Sequence, residues 1–435
     1  MASDPALGGI GAPGGSSSGA VAPRSTGDAA GAVPPDAPGR AEVEAALAAR
    51  PDRVSGPLTD QAPVAIAIDA GPAGSWTVHV ERDGRVLQTD GIGKRVKATI
   101  HADPATVVAT LTGRESGVGA FMDGRLTVRG SLGLALLFEG VLSTGERDAR
   151  FPRPATVSVG GIRTPYLDAG PLDAPVVVVL HGLGATNASM LPTVWELATD
   201  HRVLAPDLPG FGVADKPNAP YSAEWFGRWL RGFCDALQLD RFFLLGNSLG
   251  GRIAIEGGLL MPDRVRGLVL LTPSPAFRKL RQFVPVVRLL RPELAVVPLP
   301  LRHATAVAGL RMLFAVPDRV RPGWYAAAAD EFLRVMGEPR ARVAFFAAMR
   351  QIYLEEAFGE RGFWERLPGL RPPALFVWGD RDRLVPHGFA RHVVQALPAC
   401  QSVVLRDCGH APQFELPAET HALARSFLAE VMRAG

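Results

Sequence analysis

Cysteine is scarce in this chain: Cys234, Cys400 and Cys408 are the three in 435 residues. None stands in a C-x-x-C spacing, which argues against a disulfide framework and against a cysteine-ligated zinc site, and suits a reducing compartment. Excess charge is missing too. Lys and Arg number 46 against 43 Asp and Glu, a net charge of +3, which gives no argument for nucleic acid as a partner. Long hydrophobic runs are absent. Leu134 to Leu142 and Val176 to Leu180 are apolar but too short to span a bilayer. Met1 to Ala20 has neither a basic leader nor an apolar core, unlike a secretory signal. The expectation is a cytoplasmic protein. Residues 1 to 40 are Gly, Ala, Pro and Ser with scarcely a large apolar side chain. Such a segment cannot bury enough surface to offset its ordering entropy, so it reads as a disordered tail.

The remaining composition is that of a globular protein, 47% hydrophobic and 20% charged, and the length exceeds one ordinary domain. From Ala41 the pattern predicts a helix to Arg50, then strands over Val64 to Ile68, Trp76 to Glu81, Arg85 to Thr89 and Val96 to His101. Asp83-Gly84 reads as a hairpin turn. Asp103-Pro104 supplies an N-cap and a first-turn proline for a helix over Ala105 to Leu111. Phe121-Met122-Asp123-Gly124-Arg125-Leu126-Thr127-Val128-Arg129-Gly130 then leads through a strand into an apolar helix from Ser131. Together these make a compact α+β unit of about 100 residues, an ordinary domain size.

Those residues, over about 41 to 145, resemble the sterol-carrier-protein family of lipid-binding domains. The resemblance implies a curved sheet covered by helices around an apolar tunnel for fatty acyl chains, acyl-CoA or sterols. The other reading is that Leu132, Leu134, Leu136, Leu137 and Phe138 only fill a core. Domains of this kind also serve in dimerisation, so a homo-oligomer is a further expectation.

Residues 146 to 154 read as a polar linker. Beyond it, short apolar strands alternate with helices: Thr156 to Val159 and Thr164 to Leu167 as a hairpin, then strands at Val176 to Leu180, Arg202 to Ala205, Phe242 to Leu245, Val265 to Leu271, Ala374 to Trp378 and Ser402 to Leu405. This rhythm predicts an α/β fold with a mostly parallel sheet covered on both faces.

Gly246-Asn247-Ser248-Leu249-Gly250 lies between one of these strands and a helix-compatible segment. A strand, a tight turn and a helix in that order make a nucleophile elbow, with Ser248 exposed at the corner. A serine hydroxyl needs a base, the base needs an orienting acid, and the developing oxyanion needs donors. His410 and Asp382 each follow a predicted strand, in the order Ser, Asp, His. Asp380, directly after Gly379, is the second candidate acid and suits a turn. Asp207 suits its own loop. The oxyanion donors are expected to be the backbone N–H groups of Leu249 and of Leu183 in His181-Gly182-Leu183-Gly184, with His181 as a brace.

His-Gly-Leu-Gly, Asp-Leu-Pro-Gly-Phe-Gly, Gly-Asn-Ser-Leu-Gly-Gly, Trp-Gly-Asp-Arg-Asp and Gly-His-Ala-Pro-Gln-Phe-Glu, in that order, are similar to the motifs of the α/β-hydrolase superfamily. The likeness covers about residues 155 to 433. It implies an esterase or lipase-like serine hydrolase acting on a small lipophilic ester or acyl substrate, with no metal and no organic cofactor. It also implies a helical cap, placed at about residues 273 to 360, where prolines and arginines interrupt the strand–helix rhythm. Arg278, Lys279, Arg281, Arg288, Arg291, Arg302 and Arg311 there read as a solvated face; the second reading is an apolar entrance rimmed by positive charge that touches a membrane surface. Trp324, Tyr325, Phe345 and Phe346 are candidate pocket residues. The serine at 248 disfavours relatives that use an aspartate nucleophile. Gly-Asn-Ser-x-Gly-Gly is also similar to hydrolases that cleave carbon–carbon bonds in ring-fission products; those carry an aromatic residue after the base, where this chain has Ala411. A lipid-binding protein with a vestigial hydrolase is the third reading.

Overall fold

The computed structural model describes residues 38–55, 58–142, 149–276, 295, 301–360 and 362–434. The expected tail lies outside these residues up to position 37. So do Arg278, Lys279, Arg281, Arg288 and Arg291 of the cap and positions 146–148 of the linker.

The N-terminal part opens with α1 (Arg40–Ala48). It continues with β1 (Val64–Asp69), β2 (Ser75–Val80), β3 (Val86–Asp90), β4 (Ala98–Ala102), α2 (Pro104–Leu111), α3 (Gly117–Met122), β5 (Leu126–Gly130) and α4 (Leu132–Leu142). Asp103 caps α2 by accepting the Thr106 N–H at 3.0 Å. The strands form a five-stranded sheet in the order β3-β2-β1-β4-β5. Only β1 and β4 pair in parallel; the hairpin at Asp83-Gly84 makes β2 and β3 antiparallel.

The second part runs β6 (Arg153–Val159), β7 (Ile162–Ala169), β8 (Val176–Leu180), α5 (Leu191–Leu197), β9 (Arg202–Pro206), α6 (Ala223–Ala236), β10 (Phe242–Asn247), α7 (Leu249–Leu260) and β11 (Val265–Leu271). The described cap helices are α8 (His303–Arg311), α9 (Pro322–Gly337) and α10 (Pro339–Leu354). The chain then returns through α11 (Phe363–Arg366), β12 (Ala374–Gly379), α12 (Phe389–Ala396), β13 (Gln401–Leu405), α13 (Pro412–Glu415) and α14 (Pro417–Ala434). The eight-stranded sheet has the order β13-β12-β11-β10-β8-β9-β7-β6. It is antiparallel at β6–β7 and β7–β9 and parallel elsewhere.

Helices cover both faces because the strands between them are apolar throughout; every residue of β10 and β12 is buried. On α6, Phe226, Trp229, Leu230 and Phe233 recur at helical spacing and face the sheet. The linker end and two helices differ from the sequence reading. The expected linker to 154 ends earlier, since β6 starts at Arg153 and pairs with Asp168. No helix was expected over α12 or α14, both of which are amphipathic.

The two parts share a core. One apolar cluster runs from Val43 and Ile66 through Phe121 and Phe138 to Val177, Leu191 and Phe427. Helix α9 of the cap joins them: Arg129 of β5 donates to Asp330 at 2.7 Å, and so does the Gly130 N–H at 2.8 Å.

Candidate active site

Ser248 occupies the corner between β10 and α7 with φ +54° and ψ −113°. A non-glycine residue in the left-handed region is strained, and the surrounding bonds hold it there. Its N–H donates to the Leu271 carbonyl at 3.0 Å, and its carbonyl accepts from the Ser274 N–H at 3.1 Å. The corner closes because position 250 has no side chain. A Cβ there would lie 2.1 Å from the Leu180 carbonyl oxygen at the end of β8.

The loop after β13 brings His410 to the same edge. Its Nδ1 bonds Asp382 Oδ2 at 2.7 Å, and both side chains are buried. The other carboxylate oxygen of Asp382 accepts the N–H groups of Leu384 at 2.7 Å and Val385 at 2.9 Å. Three bonds therefore orient this carboxylate. Asp380 is turned elsewhere and accepts the Cys408 N–H at 3.2 Å.

Three further residues, none assigned a role from sequence, brace the His410 loop. The Asn247 amide donates to the His410 carbonyl at 3.1 Å, and the Thr272 hydroxyl donates to the same oxygen at 2.8 Å. The residue before the serine thus straps the His410 loop to the elbow. Glu415, also buried, accepts the Gly409 N–H at 2.6 Å and the Val316 N–H at 2.5 Å. The His410 N–H donates to the Leu313 carbonyl at 2.7 Å. Base loop and cap are therefore stitched together. Glu415 stands in the Gly-His-Ala-Pro-Gln-Phe-Glu motif, and its acid among apolar neighbours was the available signal.

The His181-Gly182-Leu183-Gly184 loop lies beside the elbow: a Cβ at Gly182 would be 3.5 Å from that of Ser248. Leu183 is the next residue of that loop, and Leu249 follows the serine as the first residue of α7. His181 is fully buried. Its Nε2 accepts the Leu208 N–H at 3.0 Å, so Nδ1 carries the proton and donates to the Gly182 carbonyl at 2.8 Å. Burial pushes its pKa down to about 4. It is a neutral brace between two loops. Asp207 accepts the N–H groups of Val213 in its own loop and of Asn187 in the segment after β8, both at 2.8 Å, and burial raises its pKa.

The cap aromatics divide. Phe345 of α10 covers the Leu183 loop: Gly184 has φ +73°, and a Cβ there would be 2.7 Å from the Phe345 ring. Phe346 packs edge-on to Phe345 at 5.5 Å. Trp324 and Tyr325 have other partners. Trp324 contacts Phe121 and Phe414, and Tyr325 contacts Phe314. Arg252, buried on α7, pairs with Glu256 and with Glu355 at the end of the cap, and Arg366 reaches Glu256 at 2.8 Å. Burial alone would raise the Glu256 pKa, but Arg252 and Arg366 outweigh it and hold it low.

The N-terminal part holds an apolar cavity of about 50 Å³, lined by Ile66, Ile68, Phe121, Leu132, Leu136 and Phe138 among others. Glu139 at its wall accepts the Gly117 N–H at 2.5 Å. Among the described residues no group of His, Cys, Asp and Glu could hold a metal ion, and no helix is long and apolar enough to cross a membrane.

Comparison with known proteins gives two family matches: the alpha/beta hydrolase fold over residues 175–417, and the SCP-2 sterol transfer family over residues 56–143. The chain is 30% identical over 275 residues to a 2-hydroxy-6-oxo-2,4-heptadienoate hydrolase of Pseudomonas putida, covering 63% of this chain and 95% of that one. It is 25% identical over 309 residues to an uncharacterised protein of Mycobacterium tuberculosis, covering 65% and 83%. A crystal structure described as a membrane phospholipase A, a bacterial virulence factor, superposes with a TM-score of 0.53 at 27% identity, covering 65% and 88%.

Proposed function

The chain belongs to the alpha/beta hydrolase fold family and carries an SCP-2-like N-terminal domain, and from that premise we propose that it is a cytoplasmic serine hydrolase of carboxylic esters or acyl lipids. The N-terminal domain aids binding of the lipophilic substrate. His410 Nε2 takes the Ser248 hydroxyl proton as Oγ attacks the acyl carbon. The N–H groups of Leu183 and Leu249 hold the resulting oxyanion, and Asp382 stabilises the imidazolium. The tetrahedral intermediate expels the alcohol, which leaves with the proton from His410. Water, deprotonated by His410, then releases the acid. The observation that carries this reading is the strained Ser248 corner, strapped through Asn247 to the loop that holds His410 against Asp382.

Two observations favour an acyl lipid: the apolar cavity beside the hydrolase, and the likeness to the phospholipase structure. The second reading is a carbon–carbon bond hydrolase, favoured by the relative named for a ring-fission product. The small Ala411 after the base counts against it. Turnover of p-nitrophenyl esters of increasing chain length, compared with a ring-fission dienoate, separates the two, with Ser248→Ala as control. Ester turnover lost in that variant is expected; a strong preference for the dienoate overturns the ester reading. Absence of fluorophosphonate labelling at Ser248 would instead point to a vestigial hydrolase that only binds lipid.

A further inference from the structure

Helix α3 is a single layer between the N-terminal cavity and the hydrolase. On one side Gly117, Val118 and Phe121 line the cavity. On the other, a Cβ at Gly119 would lie 3.2 Å from the Trp195 ring of α5. The Phe121 ring stands 4.4 Å from the Trp324 ring of α9. Trp324 in turn stands 4.8 Å, edge-on, from Phe414. Phe414 is four residues past His410 and next to Glu415, whose carboxylate holds the Gly409 and Val316 N–H groups. The neighbour of Trp324, Tyr325, packs against Phe314, and the adjacent Leu313 carbonyl holds the His410 N–H. Helix α9 therefore reaches the base loop from two sides. Its next turns are held by the N-terminal sheet through Asp330.

We propose that the N-terminal cavity is an effector site: a long apolar ligand bound there, an acyl chain or a sterol, sets the position of the His410 loop through Phe121, Trp324 and Phe414. Hydrolysis of any ester, including one too short to enter the cavity, then depends on the cavity's occupancy. The physical basis is a packing choice at Phe121. With the cavity empty, no ligand atom packs against the cavity side of the ring. With a ligand in place, it is held against Trp324, because close-packed interiors shift between discrete arrangements rather than deform smoothly. A ligand moves that equilibrium only by as much as it prefers one arrangement. The rate effect rests on the hydrolase reading above; the displacement of the loop does not.

Contiguity alone is no proof of coupling, so the test reads the loop directly. The full-length protein is loaded with palmitate, or with cholesterol delivered from cyclodextrin. Amide hydrogen exchange over residues 408–416 and turnover of p-nitrophenyl acetate are then followed with and without ligand. Loop exchange is expected to slow and kcat to change, each by about fivefold, the low end of coupling between sites. Trp324→Ala should abolish both responses while ligand still protects residues 117–122, and Trp324→Phe, which keeps a ring, should retain part of them. Protection confined to residues 64–142 with unchanged turnover overturns the proposal, as does failure of both lipids to bind. A Trp324→Ala variant that keeps both responses overturns the aromatic route. Slowed exchange at 408–416 without turnover of any ester would leave the coupling standing and sink the hydrolase reading instead.

Discussion

Replacing Asp382 by asparagine, beside the same change at Asp380, separates two acids only two positions apart. The Asp382 side chain is fully buried and bonds His410 Nδ1 at 2.7 Å with one oxygen. Its other oxygen accepts two backbone N–H groups, which an amide oxygen can still do. The Asp382→Asn side chain would therefore keep that anchoring and turn its NH₂ group towards His410. It cannot accept the imidazole Nδ1–H from that side, so the tautomer with Nε2 as acceptor loses its support, and the imidazolium loses its counter-charge. In hydrolases built this way the same exchange costs about 10⁴ in kcat, or about 5.5 kcal/mol of transition-state stabilisation at about 1.36 kcal/mol per tenfold. Asp380 accepts one N–H, from Cys408, at 3.2 Å. An amide oxygen replaces it with the loss of about 1 kcal/mol of stability, within the range of a single hydrogen bond, and kcat should stay within a few-fold. Steady-state hydrolysis of a p-nitrophenyl ester by both variants, with unfolding curves to exclude global damage, gives the answer. A larger loss in kcat for Asp380→Asn than for Asp382→Asn would refute the assignment.

Two further outcomes follow from packing and burial. A methyl group at position 250 would meet the Leu180 and His181 carbonyl oxygens at 2.1 and 2.7 Å. Both are backbone, so Gly250→Ala should destabilise by about 3 kcal/mol or more, the upper range for overpacking, whereas Gly309→Ala on α8, with nothing within 4 Å, should be neutral or gain up to about 1 kcal/mol; urea unfolding of the pair checks this, and equal stabilities would contradict it. His181 and His421 are buried neutral, each with its pKa pushed down to about 4. Unfolding releases them to bind protons below about pH 6.5, so stability should fall as pH drops from about 6.5 to about 4, by up to about 1.4 kcal/mol per pH unit for each histidine. His421→Gln should flatten that slope by one histidine's share between about pH 6 and 5; an unchanged slope would show that this residue does not titrate on unfolding.

Much of the fold was legible because its signals are local. The strands of both sheets are short apolar runs bounded by turn residues, and the cap at Asp103 and the turn at Asp83-Gly84 act within a few residues of themselves. The elbow was legible for the same reason: a strand, a small-residue turn and a helix lie in one stretch. Helices α12 and α14 were not read from the sequence; α14 buries Ala424, Phe427 and Leu428 against the sheet, a contact its own stretch does not announce.

The order of the motifs names Ser248, Asp382, His410 and the Leu183 loop as candidates, since each sits at the end of a strand that the chain's own pattern marks. It left two carboxylates beside each other in Asp380 and Asp382; the direction each side chain takes depends on which loop it packs under, and Cys408 and His410 are each 28 residues away from the acid they bond. Asn247, Thr272 and Glu415 became braces only when β11, the base loop and the cap met. Contacts such as Phe121 with Trp324, or Arg129 with Asp330, join residues about two hundred positions apart. No periodicity or spacing encodes such pairs, because they arise from burying two apolar faces against each other. That burial, not a motif, is what sets an apolar cavity on the far side of α3 from the hydrolase fold.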